Sequence, residues 1–346
     1  MSNVIVPEGY KSALNMYETQ KAIGMLKRIF EDNLCPALNL RRVSAPIFVD
    51  PETGLNDDLS GTERAVVFDI KETGKNAAIV HSLAKWKRMA LRTYGFSEGE
   101  GLYTDMNAVR RDEELDNLHS VYTDQWDWEK IITKENRNEN YLREVVKSIV
   151  NAICDNLDFL KHVYPQLTVQ LERDVTFITS QELEDMYPDK SPKERENLFV
   201  KDRKTVFVMQ IGSVLKSGQV HDQRAPDYDD WSLNGDILFW NDVLNCAFEI
   251  SSMGIRVDEK SLDEQLRISG KNERRRLLFH KEYIVYRSIN AVLLRFDEHQ
   301  RHQTEFTSCI VQIKHFAVVA FADEVLQYVL LRTLQYYLTS TIESEQ

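Results

Sequence analysis

The first apolar pattern in the chain predicts an amphipathic helix. From about Lys11 to Asn33, hydrophobic residues recur at the three- and four-residue spacing of one helix face, with polar residues between them. The same spacing returns in five later segments: Leu83–Tyr94, Glu139–His162, Gln181–Tyr187, Lys193–Val200 and Ser261–Ser269. We therefore expect helices that each turn one apolar side toward a core.

Short runs rich in β-branched and aromatic residues lie between these helices and predict strands. The first run, Leu38–Val49, contains Pro46, which is typical of a strand at a sheet edge or an interface. The others are Ala65–Ile70, Ala77–His81, Leu102–Arg110, Leu118–Glu129, Val175–Thr179, Val206–Ile211, Asp236–Trp240 and Phe248–Val257. Several follow one another with no helix between them. This order predicts an α+β fold with a mainly antiparallel sheet flanked by helices, rather than a doubly wound sheet.

The composition is that of a globular protein, and it suits a soluble enzyme of small molecules as it suits many other proteins. The 346 residues are 42% hydrophobic and 28% charged, and the net charge of -12 opposes binding to nucleic acid. The N-terminus lacks the apolar run of a signal peptide, and the four cysteines form no C-x-x-C pair. We expect a cytoplasmic protein with reduced cysteines and neither a nucleic-acid nor a membrane partner.

The first polar region combines acidic and basic residues. Asp57 and Asp58 could hold an amino group, and Lys85 and Lys87 follow in the segment HSLAKWKR (81–88). Since residues two positions apart diverge on a helix, we expect only one of the two lysines to face a given site. On residue chemistry alone, a loop carboxylate pair and a solvated basic helix are the simpler interpretation.

The strand-like run from His119 to Glu129 alternates between polar and aromatic residues. A period of two places Gln125, Asp127 and Glu129 on one face, with two tryptophans on the other. Such a polar face suits the lining of a polar pocket, because burying it against an apolar core is unfavourable. A solvated strand with a buried aromatic face is the alternative, and the pattern favours neither.

A nucleotide, if one binds, must be held by side chains and metal. The chain has neither a G-x-G-x-x-G nor a Walker A sequence. Arg110 or Arg111 could clamp a phosphate. Asp236 and Glu249 lie on two successive strand-like runs and could share one Mg²⁺, which prefers one or two carboxylates plus phosphate oxygens. Carboxylates of this kind also occur in plain turns.

Seven motifs, in order from about residue 10 to 280, resemble the family of ammonia-dependent asparagine synthetases, or aspartate–ammonia ligases. They are Asp57–Gly61, HSLAKWKR (81–88), GEGLYTDMNAVR (99–110), HSVYTDQWDWE (119–129), RAPDYDDW (224–231), NGDILFWN (234–241) and EISSMGIRVD (249–258). That family is similar to the catalytic core of class II aminoacyl-tRNA synthetases. Val43–Phe48 resembles the first class II motif, which forms a dimer interface, and the stretch from Arg110 to Glu129 resembles the second, which holds ATP.

The resemblance implies an enzyme, a homodimer, that uses ATP and Mg²⁺ to convert L-aspartate and ammonia into L-asparagine. The reaction would pass through a β-aspartyl-adenylate and release AMP and pyrophosphate. By matching motif, the catalytic residues would be Lys87, Arg110 and Gln125. Aspartate would be bound by Asp57, Lys87, Gln125, Asp127 and Ser251, the nucleotide by Arg110, Ser120, Asp229 and Ser252, and Mg²⁺ by Asp236 and Glu249.

The end of the chain departs from this family. Its third motif, the glycine-rich G-G-G-I-G-Q-S-R, is missing, and no glycine follows Gly270. We therefore divide the chain into a catalytic domain, 1–282, and a divergent segment, 283–346, with apolar runs at 291–296, 316–321 and 325–338. A changed reading frame, a diverged replacement or an inactive relative would each produce this pattern. The alternative functions are a regulatory protein that binds aspartate or adenylate and a paralogue of an aminoacyl-tRNA synthetase core.

Overall fold

The computed structural model describes residues 7–56, 59, 63–272 and 274, and the backbone of 307–314. The strands are β1 Leu40–Arg42, β2 Phe48–Val49, β3 Val67–Ile70, β4 Lys75–Ile79, β5 Gly101–Val109, β6 Tyr122–Ile132, β7 Thr176–Thr179, β8 Thr205–Met209, β9 Asp229–Asn241, β10 Cys246–Arg256 and β11 Thr307–Lys314. The helices are α1 Met16–Leu38, α2 Ala84–Thr93, α3 Glu139–Val163, α4 Ser180–Met186, α5 Pro192–Arg203 and α6 Glu259–Ser269, with a 3-10 turn at Pro51–Thr53.

Every helix predicted before residue 270 is present with shifted ends, and so is every strand except the one predicted over Leu38–Val49. That prediction is wrong: Leu38 ends α1, and the rest forms two short strands, β1 and β2, in different sheets. Pro46 lies between them and has no N–H to continue a ladder.

The first helix begins at Met16 because Asn15 caps it, in a reciprocal arrangement with Glu18. The strand predicted over Asp236–Trp240 begins earlier, at Asp229. Its polar Asn234 is tolerated inside the sheet because its side chain bonds the main-chain N–H and C=O of Ile211.

The main sheet has eight strands in the order β1-β5-β6-β11-β10-β9-β8-β7. Neighbouring strands are antiparallel except for the two outer pairs, β1 with β5 and β7 with β8. A second, antiparallel sheet has the order β2-β4-β3. The predicted α+β fold with a mainly antiparallel sheet is therefore confirmed.

Strand β11 comes from the divergent C-terminal segment, yet it lies in the middle of the main sheet. It pairs with β6 from Thr307 opposite Ile132 to Lys314 opposite Gln125, and with β10 on its other edge. Sequence analysis did not predict this strand. The apolar runs predicted at 291–296, 316–321 and 325–338 lie outside the described residues, and the division at residue 282 stays a prediction.

One face of the sheet packs against α1 and α3 to form the largest hydrophobic core. Trp126 and Trp128 of β6 are completely buried in it, and the ring of Phe30 from α1 stacks on Trp126 at a centroid distance of 3.9 Å. Helix α2 lies over the opposite face, where Leu83 and Leu91 join a second apolar cluster. None of the described helices is long and apolar enough to cross a membrane.

Candidate functional site

The polar face of β6 is as deeply buried as its aromatic face. Gln125, Asp127 and Glu129 each have no exposed surface, and they point away from the two tryptophans. The alternative of a solvated strand is therefore wrong. Three polar side chains in this position need partners, because an unpaired buried polar group destabilises the fold.

A chain of alternating charges supplies partners for Asp127 and Glu129. The Lys87 ammonium of α2 donates to the Asp127 carboxylate and lies 3.9 Å from Oε2 of Glu129. Glu129 also accepts hydrogen bonds of 3.2 and 3.3 Å from Arg256, at the end of β10. The same guanidinium donates to Oδ1 of Asp229 at 3.1 Å. Two cations and three carboxylates thus form one buried network.

Burial makes the charged state of this network unfavourable unless every partner is in place. It raises the pKa of Asp229, and the neighbouring Arg256 opposes that rise. Removing one member of a buried pair leaves a charge without compensation. The network is therefore rigid, and it fixes the positions of Asp127 and Asp229, two of the predicted binding residues.

The two lysines of α2 are both buried, so the predicted solvated basic helix is wrong. They do diverge, as expected for positions two apart. Lys87 faces β6, whereas the Lys85 ammonium lies 5.3 Å from the centre of the Tyr228 ring. Helix α2 packs on both sides, and its cations are held by carboxylates on one side and by an aromatic ring on the other.

A cavity of about 620 Å³ opens beside this network. Four predicted binding residues, Arg110, Asp229, Glu249 and Ser252, line it. Its wall also includes residues that sequence analysis did not assign, among them Glu63, Asp112, Glu113, His119, Arg224, Tyr228 and Arg256. The cavity lies within the size range of small-molecule sites and is predominantly polar and charged in its lining residues.

Three guanidinium groups reach this cavity from different elements. Arg110 follows β5, Arg224 precedes β9, and Arg256 ends β10. Arginines suit phosphate oxygens because their planar fork donates two parallel hydrogen bonds. Arg224 and Arg256 were missed as site residues. Each is the single cation of its motif, beside three acidic residues in 224–231 and two in 249–258, and that contrast could have identified them.

Asp236 and Glu249 form the candidate metal site. Oδ2 of Asp236 accepts from Arg224, while its buried Oδ1 has no hydrogen-bond partner in the described part of the chain. Burial raises the pKa of Asp236 to about 7; Arg224 opposes the rise and Glu249 adds to it. No group of three or more His, Cys, Asp or Glu side chains among the described residues could hold a metal. Two carboxylates, of which Glu249 lines the cavity, nevertheless fit Mg²⁺, which takes its other ligands from phosphates and water.

The remaining predicted site residues differ in how far their side chains are buried. Within the described ranges, neither amide atom of Gln125 nor the hydroxyl of Ser251 has a hydrogen-bond partner, although both side chains are buried. Such groups are rare in folded proteins and indicate a missing ligand or water. Ser120 is half-buried in the loop between β5 and β6, next to His119 of the cavity wall. Asp57 lies outside the described residues.

Comparison with known proteins gives consistent matches along most of the chain. The family described as aspartate-ammonia ligase matches residues 17–292. An aspartate–ammonia ligase of Ruminiclostridium cellulolyticum is 57% identical over 285 residues, which cover 82% of this chain and 85% of that protein. One from Clostridium tetani is 58% identical over 279 residues, covering 80% of this chain and 82% of the relative.

Solved structures show the same fold at low identity. Asparaginyl-tRNA synthetase from Pyrococcus horikoshii, complexed with asparaginyl-adenylate, superposes with a TM-score of 0.59 at 15% identity. The match covers 89% of this chain and only 66% of that protein. An aspartyl-tRNA synthetase from Entamoeba histolytica gives a TM-score of 0.55 at 12% identity, with 55% of its length covered. The fold is therefore that of class II aminoacyl-tRNA synthetases.

Proposed function

Because the chain belongs to the aspartate–ammonia ligase family, we propose that it forms L-asparagine from L-aspartate and ammonia, with ATP as the activating substrate. The observation that carries the proposal is the 57% identity over 82% of the chain. Every assigned site residue that the structure describes lies inside the matched region, 17–292. The convergence of three arginines on one cavity supports a substrate that carries phosphates.

The first step activates the aspartate side chain. A carboxylate reacts poorly with an amine until one of its oxygens becomes a good leaving group. In the proposal, a β-carboxylate oxygen attacks the α-phosphorus of ATP, and the bond from that phosphorus to pyrophosphate breaks. The product is β-aspartyl-adenylate. Arg110 donates to the phosphate oxygens on which negative charge develops.

The second step forms the amide. The ammonia nitrogen bonds to the β-carbonyl carbon, the carbon–oxygen bond to AMP breaks, and one proton leaves. Asp127 holds the substrate amino group and Lys87 a substrate carboxylate. Gln125 lies between amino acid and nucleotide, and Ser251 donates to aspartate. Support for Gln125 and Ser251 comes from their buried polar atoms, which an incoming ligand would satisfy.

The nucleotide occupies the cavity in this proposal. Asp229, Ser120 and Ser252 line the nucleotide pocket in this proposal. Asp236 and Glu249 bind Mg²⁺, which supplies charge neutralisation for the phosphates when it is bound. The unpartnered Oδ1 of Asp236 supports this assignment. Arg224, which lines the cavity, is already paired with Asp236 and restricts the position of that carboxylate.

A homodimer is the second part of the proposal. Ile47 and Val67 are 53% and 52% exposed, and the neighbouring Phe48 and Phe68 pack edge to face at 5.4 Å on the same small sheet. An exposed apolar patch of this kind is typical of an interface. In a sedimentation experiment at neutral pH, we expect the wild-type chain to be a dimer. The Phe48→Asp variant should be a monomer. A wild-type monomer at micromolar concentration would contradict this.

The reaction is tested with the full chain, ATP, Mg²⁺, L-aspartate and ammonium. We expect asparagine and AMP in equal amounts, and little AMP when ammonium is left out. Formation of ADP instead of AMP would contradict the adenylate. Aspartyl- or asparaginyl-tRNA formed when tRNA replaces ammonium would support a synthetase core, although the net charge of -12 opposes tRNA binding.

The missing third motif favours one alternative, a protein that binds aspartate or adenylate without turnover. The arginine of that motif would contact the phosphates, and the chain has no counterpart in sequence. Calorimetric titration separates the two functions. Binding of ATP and aspartate with no asparagine formed would identify the alternative, whereas turnover would exclude it. A titration with no heat for either ligand would contradict both.

A further inference from the structure

Two segments that are distant in sequence border the cavity side by side. Residues 63–66 lead into β3, and Glu63 lines the cavity. The loop between β5 and β6, residues 110–121, lines it with Asp112 and His119. Arg64 joins the first segment to the second through Asp112. We call the contact between Arg64 and Asp112 the clasp.

The clasp uses both the side chain and the main chain of Arg64. Its main-chain N–H donates to Oδ2 of Asp112 at 2.8 Å. Its Nε lies 3.0 and 3.2 Å from the two carboxylate oxygens, and Nη2 also donates to Oδ1. A forked side-chain contact together with a main-chain contact fixes the backbone at residue 64 as well as the guanidinium.

Folding stability does not account for this geometry. The Arg64 side chain is 69% exposed, and exposed ion pairs contribute little to the free energy of unfolding. The Arg64 guanidinium and main-chain N–H hold the pKa of Asp112 well below its usual range, so the carboxylate stays charged at neutral pH. A pair that is well formed and always charged, but solvated, is suited to holding two segments in register.

The clasp bears on function because Arg110 lies in the same loop as Asp112. The main-chain N–H of Arg110 donates to the Val121 carbonyl at 2.8 Å, which closes the base of the same loop. Arg110 lines the cavity, and its Nη1 lies 3.7 Å from Oε2 of Glu113, which follows Asp112 in that loop. Asp112 follows Arg110 by two positions. Whatever fixes Asp112 therefore also restricts where the Arg110 side chain can reach.

We propose that Arg64 and Asp112 are positioning residues that hold the β5–β6 loop where Arg110 meets the nucleotide phosphates. The identity of the ligand rests on the proposed function, whereas the clasp itself does not. Arg64 acts through Asp112 and touches no reacting atom.

Hydrogen exchange of the full chain without ligand tests the clasp directly. Asp112→Ala removes the acceptor of the Arg64 N–H, so we expect faster exchange in the peptide containing residues 63–66. Arg64→Ala should speed exchange in 110–121. The matched control is Arg41→Ala, since the Arg41–Glu100 ion pair has nearly the same exposure, 67% and 21% against 69% and 24%. Unchanged exchange in both segments would overturn the proposal.

Calorimetric titration with ATP tests the consequence for binding. We expect Arg64→Ala to weaken ATP binding about fivefold to tenfold, at an unchanged melting temperature, and Asp112→Ala to weaken it further. Exchanging the two residues, Arg64→Asp with Asp112→Arg, should recover part of the loss, and Arg41→Ala should bind as wild type does. An unchanged ATP affinity in Arg64→Ala would overturn the positioning role. Failure of wild type to bind ATP would refute the proposed function, while hydrogen exchange would still decide on the clasp.

Discussion

The two faces of β6 are equally buried, but they differ in the chemistry of their side chains and in the energetics of burying them. On one face, Trp126 and Trp128 pack under α1 and α3, where removal of apolar surface from water contributes about 25 cal/mol per Å². On the other, Asp127 and Glu129 lie among cations, where desolvation of each charge costs several kcal/mol before a partner offsets it. Equal burial with opposite energetics indicates that one face holds the fold together and the other is retained for binding.

The largest effect should follow from Asp127→Ala. The substitution removes one of the two carboxylates beside the buried Lys87. We therefore expect the free energy of unfolding to fall by about 3–5 kcal/mol. Asparagine synthesis should be abolished. Urea unfolding and product chromatography measure the two quantities. Asp127→Leu combined with Lys87→Met should recover stability without activity; a double variant that still makes asparagine would mean that this face only supports the fold.

Trp128→Ala should lower the stability of the fold and leave ligand binding nearly unchanged. Truncating a fully buried tryptophan costs about 3–5 kcal/mol of stability, because it leaves a cavity in the core. Its main-chain carbonyl, which accepts from Lys87, remains in place. The folded fraction should therefore bind ATP and aspartate with nearly wild-type affinity in calorimetry. Weaker binding at unchanged stability would contradict the division between the faces.

Gln125→Leu should affect binding and stability independently. The leucine removes two buried polar atoms that lack partners among the described residues, so we expect unfolding to require the same free energy or about 1 kcal/mol more. Aspartate affinity should drop at least tenfold, since a buried polar contact is lost. Chemical denaturation with titration of L-aspartate checks both. A clear loss of stability would show that the amide is satisfied in the unliganded protein.

The smallest effect concerns Cys154 of α3, on the apolar side. Burial raises the pKa of its thiol to about 12 from a model-compound value of 9.0. The folded state therefore keeps the proton longer than the unfolded state, and this contribution to stability is lost as pH rises from about 9 to about 12. At pH 8 we expect iodoacetamide to label Cys154 only after denaturation, as measured by peptide mass spectrometry. Rapid labelling of native protein would contradict the burial.

The alternation of β6 could be predicted from sequence because a period of two assigns faces whatever the surrounding fold. That both faces are buried could not, since Lys87 and Arg256 come from elements far away in the chain. Charge contrast inside a motif would have identified Arg224. The place of β11 likewise depends on pairing with two distant strands, even though apolar Val311 and Ile313 alternate with polar Gln312 and Lys314 as in a strand.

The central position of β11 has a consequence for how the chain folds. Of the described strands it is the last in sequence, yet it separates β6 from β10. During synthesis, the half-sheets β1-β5-β6 and β10-β9-β8-β7 are complete before the strand that joins them leaves the ribosome. Each then carries an open edge, which favours pairing with other chains. Pairings such as Ile310 with Glu129 have high contact order and form slowly. The main sheet therefore cannot close until the segment that carries β11 has been translated.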